Sequence, residues 1–278
     1  MGESKPIVLR SSANPTVRHL VRLRDNRARR KLDRVIVDGW RETNQAIESG
    51  MTLVGLYVAE PSESTSGTDS PLIEGLCHLA SSAGKLQRVS SQIMQKIAYG
   101  QSPRGCVAEF ERPQRAITDL DPPSDPLVLV LDRIEKPGNV GAIFRCADAA
   151  GVDAVLLCEC GDVWNPNAIR SSQGCVFHVP SSECSQSEIA GFLQAHSVRL
   201  VAARVESSQL LWETSLAGGV AILLGSEAHG LGERWQQIDE TTVAGVRIPM
   251  AGSIDSLNVS VSAAVILYEA VRQRTKQP

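Results

Sequence analysis

The sequence predicts an α/β protein in two domains, a small N-terminal unit over residues 1–110 and a larger one over 127–278, joined by a linker over 111–126. Three observations carry this reading. Leu127-Val-Leu-Val-Leu131 is a continuous apolar run bounded by proline and aspartate, which suits a strand buried on both faces of a parallel sheet. After it the pattern repeats as strand, glycine-containing loop and helix, the alternation that builds α/β layers. Before it, Glu111–Pro126 carries Pro113, Pro122, Pro123 and Pro126 among several charges, a composition that breaks regular structure.

Along the N-terminal unit, Asn14-Pro15 marks a helix start, and Val17, Leu20, Val21, Leu23 and Leu32 form an irregular apolar stripe that fits one long basic helix. A short strand follows at Val35–Val37, a helix at Trp40–Ser49, a strand at Leu53–Val58 and a polar loop from Pro61 to Ser70. Leu72–Ala83 reads as helix and Lys85–Val89 as strand. In the larger domain a helix runs from the Gly138-Asn-Val-Gly141 turn to Ala150. Strands fit Ala154–Leu157, Arg199–Ala203, Val220–Leu224 and Val243–Ile248, and a last helix fits Leu257–Arg272.

With 278 residues, 42% hydrophobic and 21% charged, the chain can bury a sizeable core. No apolar run approaches the roughly 18 residues of a membrane helix, and Met1–Arg10 has charges with no apolar signal core behind it, so a cytoplasmic location and no membrane partner are expected. The seven cysteines are odd in number and irregularly spaced, which predicts reduced thiols. Cys158-Glu-Cys160 lacks the two-residue gap of zinc or redox pairs and follows the apolar Ala154–Leu157, so a strand end is expected there and no metal site.

The net charge of −3 conceals an asymmetry. Between Arg10 and Arg34 nine Lys/Arg face two acids, a balance of +7; from Leu127 onward eleven Lys/Arg face sixteen Asp/Glu, a balance of −5. A polyanion would be gripped at the N-terminal end, through Arg18, Arg22, Arg24, Arg27, Arg29, Arg30 and Lys31. The plainer alternative is a solvated helix face. Aromatics are only 4% of the chain, so shape, phosphate and 2′-hydroxyl contacts fit an RNA partner better than base stacking does.

Three glycine-bearing loops each follow an expected strand, where open α/β sheets place ligands. In Asn139-Val-Gly-Ala-Ile-Phe-Arg145, Gly141 permits a tight turn and Arg145 lies about two turns into the helix; alone this is a weak signal, lacking the spacing of a dinucleotide fingerprint. Leu223-Leu-Gly-Ser-Glu-Ala-His-Gly230 ends a buried strand at Leu224 and Gly225, where a missing side chain lets backbone approach a flat ligand. Ile248-Pro-Met250 and Ser256-Leu-Asn-Val-Ser260 form the third, for which a purely structural account makes Ser256 a helix N-cap and Asn258 a first-turn residue. His229 reads as loop, and Tyr268 as dimer or core packing.

In this order the three segments resemble the three motifs of the SpoU (TrmH-like) branch of the SPOUT methyltransferases, over roughly Leu127 to the C-terminus. Asn139, Gly141 and Arg145 match the first motif, Gly225, Glu227 and Gly230 the second, and Ile248, Pro249, Met250, Ser256, Leu257 and Asn258 the third. The resemblance implies a deep trefoil knot, an exception to the rule against threading, together with an obligate homodimer and S-adenosylmethionine held in a bent pose. It places the cofactor at Gly225, Ile248 and Leu257, with Leu224 and Met250 beside them. It implies that Arg145 activates the ribose hydroxyl as a base; because guanidinium stays protonated, holding the adjacent phosphate and offsetting charge on the 2′-oxygen is an equally physical role. Asn139, Ser256 and Asn258 would orient these groups, and Glu227 would support the loops.

The N-terminal unit resembles that family's substrate-binding domain, a small α/β fold similar to a ribosomal RNA-binding protein. Arg41, Glu42 and Ala46, after Val37-Asp-Gly39, match its second helix, and Arg22–Lys31 its basic entry helix. The expectation is methylation of a ribose 2′-hydroxyl in large-subunit, 23S-type rRNA, as found in members that include determinants of resistance to ribosome-targeting antibiotics. A tRNA 2′-O-methyltransferase and a non-catalytic RNA-binding protein are the alternatives. A nucleotide-dependent oxidoreductase needs a second glycine at the first turn and an acid about twenty residues later, and Asp153 falls too near.

Overall fold

The computed structural model describes residues 8–60, 70–100, 104–207, 209–226, 230–238 and 241–275. They form two compact units, the first made of the described residues up to Pro113 together with Trp164–His178, the second of Gln114–Val163 and the described residues from Val179 onward.

In the first unit β1 (Val8–Leu9) precedes α1 (Pro15–Arg22) and α2 (Asn26–Leu32). The single basic helix expected from the stripe is thus two. Asp25 interrupts it, because its side chain accepts from the Ala28 amide and starts a second helix there. β2 (Arg34–Asp38), α3 (Trp40–Glu48), β3 (Leu53–Ala59), α4 (Pro71–Ser82) and β4 (Leu86–Val89) fall where the hydrophobic pattern puts them. β1 lies where the sequence reading places no element, and so do α5 (Ser91–Ile97), capped by Ser90, and β5 (Cys106–Glu111). The sheet order is β1-β4-β3-β5-β2, so β5 lies between β2 and β3, antiparallel to both. Val17, Leu20 and Leu23 pack with Ile93, Met94 and Ile97 over this sheet.

The second unit begins inside the expected linker. Arg115 donates to the Val179 carbonyl and the Ser181 hydroxyl, and Ile117 and Leu120 pack on that unit's core, so residues 114–126 belong to the fold itself. There follow β6 (Leu127–Asp132), α6 (Pro137–Ala149) and β7 (Ala154–Cys158). Two short helices, α7 (Pro166–Ser171) and α8 (Cys175–His178), count with the first unit, an excursion that no local pattern announces. β8 (Ser181–Glu183), α9 (Gln186–Ala195), β9 (Arg199–Ala203) and β10 (Val220–Leu224) come next, and then β11 (Gln237–Ile238), β12 (Thr241–Thr242), β13 (Ala244–Val246) and α10 (Val259–Thr275). The main sheet runs β13-β9-β10-β6-β7-β8 with every pairing parallel. Every residue of β6, β7 and β10 is buried, as a sheet covered on both faces requires. This is the α/β architecture with a parallel sheet that the sequence predicts. Among the described residues no helix is long and apolar enough to cross a membrane.

Candidate active site

Parallel strands bring their carboxyl ends to one edge of the sheet, and the three glycine-bearing loops start from that edge. Leu224 ends β10 almost fully buried, and Gly225 turns the chain. The loop folds back so that the Gly230 amide donates to the Ser226 carbonyl at 2.8 Å. A Cβ on Gly225 would stand 2.7 Å from the carbonyl carbon of Gly230 and 2.8 Å from Leu231 Cδ2. Gly225 is therefore required by space, and its backbone is not left-handed.

Around this turn lies a cavity of about 730 Å³. Leu224, Gly225, Ile248, Met250 and Leu257, the five residues expected to hold a cofactor, all line it. So do Ser256 and Asn258. The volume falls within the range of pockets that enclose a nucleoside-sized ligand, and the wall combines aliphatic side chains with a side-chain-free approach at Gly225. That is a fit to a flat adenine and its appended chain.

Asn258 rather than Ser256 caps the last helix: its Oδ1 accepts from the Ser260 amide at 2.9 Å and the Ser260 hydroxyl at 2.7 Å. The helix starts at Val259, two residues later than the apolar pattern alone suggests, because this cap decides the first turn. The other end of the same side-chain amide, Nδ2, donates to Asn139 Oδ1 at 3.4 Å, joining the first and third loops. Arg145 is not brought to the cavity within one chain. It stands exposed on α6, while Ile143, Phe144 and Ala147 take the buried side of that helix. Glu227 and His229 lie outside the described residues.

Sequence motifs missed one wall. Ala203 at the end of β9 and Arg204–Glu206 just past it also line the cavity, and Arg204 points both Nη atoms at the Gly232 carbonyl, 3.3 Å away. Their signal was positional only, as the loop after the strand beside β10. A second missed feature is Asp132, fully buried at the end of β6. Arg133 Nε lies 3.1 Å from its Oδ2 and Arg234 Nη1 3.6 Å from its Oδ1, and Arg234 also reaches Glu159 at 2.9 Å. This pins the arm that follows Gly232. Burial pushes the Cys158 thiol up and that of Cys160 to about 12, so the pair is protonated and packed at the strand end. Among the described residues no group of three or more His, Cys, Asp or Glu is placed to hold a metal ion.

The basic segment of the first unit divides. Arg18, Arg22, Arg27, Arg30 and Lys31 are exposed. Arg29 is fully buried and donates to the Leu23 and Arg24 carbonyls at 2.8 and 2.7 Å; it ties the α1–α2 junction and is removed from the RNA-facing set. Arg24 is half-buried and committed to the Lys96 and Ala98 carbonyls. Composition offers seven cations on these two helices and the turn between them, whereas helix capping and tertiary packing take two of them inward.

Comparison with known proteins adds the following. Residues 126–268 match the model of the SpoU rRNA Methylase family, and residues 14–108 that of the MRM3-like substrate binding domain. The chain is 30% identical to an uncharacterised tRNA/rRNA methyltransferase of Synechocystis over 267 residues, 95% of this chain and 93% of that protein. It is 33% identical to the 23S rRNA (guanosine-2′-O-)-methyltransferase RlmB of Pasteurella multocida, over 68% of this chain and 79% of the other. The crystal structure of the SpoU methyltransferase AviRb of Streptomyces viridochromogenes with AdoMet superposes with a TM-score of 0.83 at 26% identity, over 95% of this chain and 100% of that one.

Proposed function

The chain belongs to the SpoU rRNA methylase family and is an RNA 2′-O-methyltransferase that uses S-adenosylmethionine; on that basis we propose that it methylates a ribose of large-subunit rRNA, acting as a cytoplasmic homodimer. The single observation that carries the site assignment is the cavity, where two loops far apart in sequence place Leu224, Gly225, Ile248, Met250 and Leu257 around one space.

These residues hold the cofactor. When bound, it supplies an electrophilic methyl group. The aliphatic wall excludes water from the reacting centre, and most of the rate comes from alignment of donor and hydroxyl. The Asn139–Asn258 contact ties the cofactor loop to the first turn of α6 and orients the ribose, with Ser256 beside it. Arg145 holds the phosphate next to the target and offsets charge on the 2′-oxygen, since a guanidinium that remains protonated suits an anion better than it suits proton abstraction. Its exposed position on α6 supports a site completed by a second copy. Val261 and Tyr268, 47% and 53% exposed on the neighbouring α10, are the apolar part of that surface. The trefoil knot belongs to the same reading and rests on the family alone.

The first unit is the RNA-binding domain in this reading, with Arg18, Arg22, Arg27, Arg30 and Lys31 on the phosphates. A support for rRNA is that a substrate-binding model matches residues 14–108 and that relatives such as RlmB are named for 23S rRNA. The test is transfer of labelled methyl from S-adenosylmethionine to ribosomal RNA, mapped by reverse-transcription stops at limiting nucleotide. Labelling of tRNA alone would refute the substrate assignment. Near-normal turnover of Arg145→Lys with intact RNA binding would refute both roles considered for that residue.

A further inference from the structure

Among the described residues the sequence motifs furnish the cavity with an aliphatic wall, a glycine turn and the neutral side chains of Ser256 and Asn258, but with no anionic acceptor for the hydroxyl pair of a nucleoside. Glu206 is the one acid among the described residues that line the cavity. It lies three residues past β9, the strand that pairs with β10 in parallel register, Ala202 opposite Leu223, so it stands in the loop that leaves the strand next to the glycine turn. In open parallel sheets ligands lie across the carboxyl ends of the strands, and in the dinucleotide-binding sheets an acid near a strand end accepts from a ribose hydroxyl, a chemistry that a carboxylate in this position can also perform.

The local bonding favours this use. Arg204 has a side chain only 13% exposed and is held by the Gly232 carbonyl; its Nη1 also donates to Glu206 Oε1 at 3.2 Å. One oxygen of Glu206 is thereby fixed, and Oε2 has no partner among the described residues. Arg204 also compensates the charge. A neutralised carboxylate attracts an ammonium or sulfonium weakly, but its second oxygen still accepts hydrogen bonds from a diol. Resting on the methyltransferase reading above, we propose that Glu206 is the acceptor for the ribose 2′- and 3′-hydroxyls of S-adenosylmethionine, positioned by Arg204, and that it sets the preference of the site for a ribonucleoside cofactor.

The experiment is calorimetric titration of the full chain and its Glu206→Ala variant with S-adenosylmethionine and with 5′-methylthioadenosine, which keeps the ribose and lacks the amino acid and the positive charge. Loss of a hydrogen bond to an ionised but well-exposed acceptor predicts roughly ten-fold weaker binding of S-adenosylmethionine, and the same factor for methylthioadenosine. Ligand-free melting should not move, because the Glu206 side chain is 65% exposed. A penalty for S-adenosylmethionine alone would overturn the assignment in favour of the cofactor's ammonium. No penalty for either ligand would overturn it outright. If the wild-type chain takes up neither ligand, the methyltransferase reading falls and this inference with it, an outcome distinct from the other two.

Discussion

Replacing Gly225 with alanine adds one methyl group where the structure leaves it no room. The new Cβ would sit 2.7 Å from Gly230 C, 2.8 Å from Gly230 O and 2.8 Å from Leu231 Cδ2, whereas ordinary contacts begin near 3.4 Å. Two of the three obstacles are backbone, so the returning arm must move by about 0.7 Å, the difference between 3.4 and 2.7. Overpacking of this kind costs about 1–3 kcal/mol. How it divides is informative, because Gly225, Gly230 and Leu231 are themselves cavity wall. Strain that closes the cavity shows as weaker cofactor binding, up to roughly 5- to 150-fold for that energy. Strain borne equally by free and bound protein shows as a lower Tm, about 2–4 °C per kcal/mol for a chain of this size. Calorimetry with S-adenosylmethionine and a melting curve measure the two parts. Gly252→Ala is the control, since a Cβ there meets nothing within 4 Å. An alanine variant at Gly225 whose affinity stays within two-fold and whose Tm stays within a degree of wild type would refute the steric argument.

Three further outcomes follow from the same geometry. Arg29→Ala should lower stability by about 1–3 kcal/mol by orphaning the Leu23 and Arg24 carbonyls, while Arg22→Ala or Arg27→Ala leaves melting unchanged and reduces the slope of log K against log salt for RNA by roughly 0.7–0.9; a matching slope change in all three variants contradicts the burial of Arg29. Removing Arg234 strands the buried Asp132 with Arg133 alone, so Arg234→Ala should cost about 1–3 kcal/mol, below the 3–5 of a fully buried pair because its side chain is 26% exposed; adding Asp132→Asn should recover part of the loss, and strict additivity in denaturant titrations would count against the pairing. Burial holds the Asp38 carboxyl above its ordinary 3.8, against the opposing pull of the Tyr99 backbone amide and of Arg170 and Arg104. The folded state then binds more protons than the unfolded one between 3.8 and the raised value, so stability falls as pH rises through that window; Asp38→Asn should be the more stable protein at pH 7, with the gap closing below 3.8, and equal stabilities at pH 7 would show that these opposing pulls fully offset the burial.

Features with a local cause were legible in the order of the amino acids. β6, β7 and β10 are contiguous apolar runs because both faces of a parallel sheet are covered, and such runs can be followed one residue after another. The three loops were legible through glycine, proline and asparagine, whose backbone chemistry acts within a few residues; the five positions expected to hold a cofactor came from the family resemblance of those loops, and each of them lines the cavity. The Ser185–Glu188 capping box and the short apolar run Cys106–Ala108 with Phe110 were local signals too, and α9 and β5 could have been read from them. Long-range packing settled everything else. It turned Arg29 inward, drew residues 114–126 into the second unit and grouped Trp164–His178 with the first. It put Ala203–Glu206 into the cavity wall and left Arg145 outside it. The difference is one of range: a hydrophobic period, a cap or a turn reports forces between residues a few positions apart, whereas burial of a cation or the closing of a cavity depends on which distant strands become neighbours.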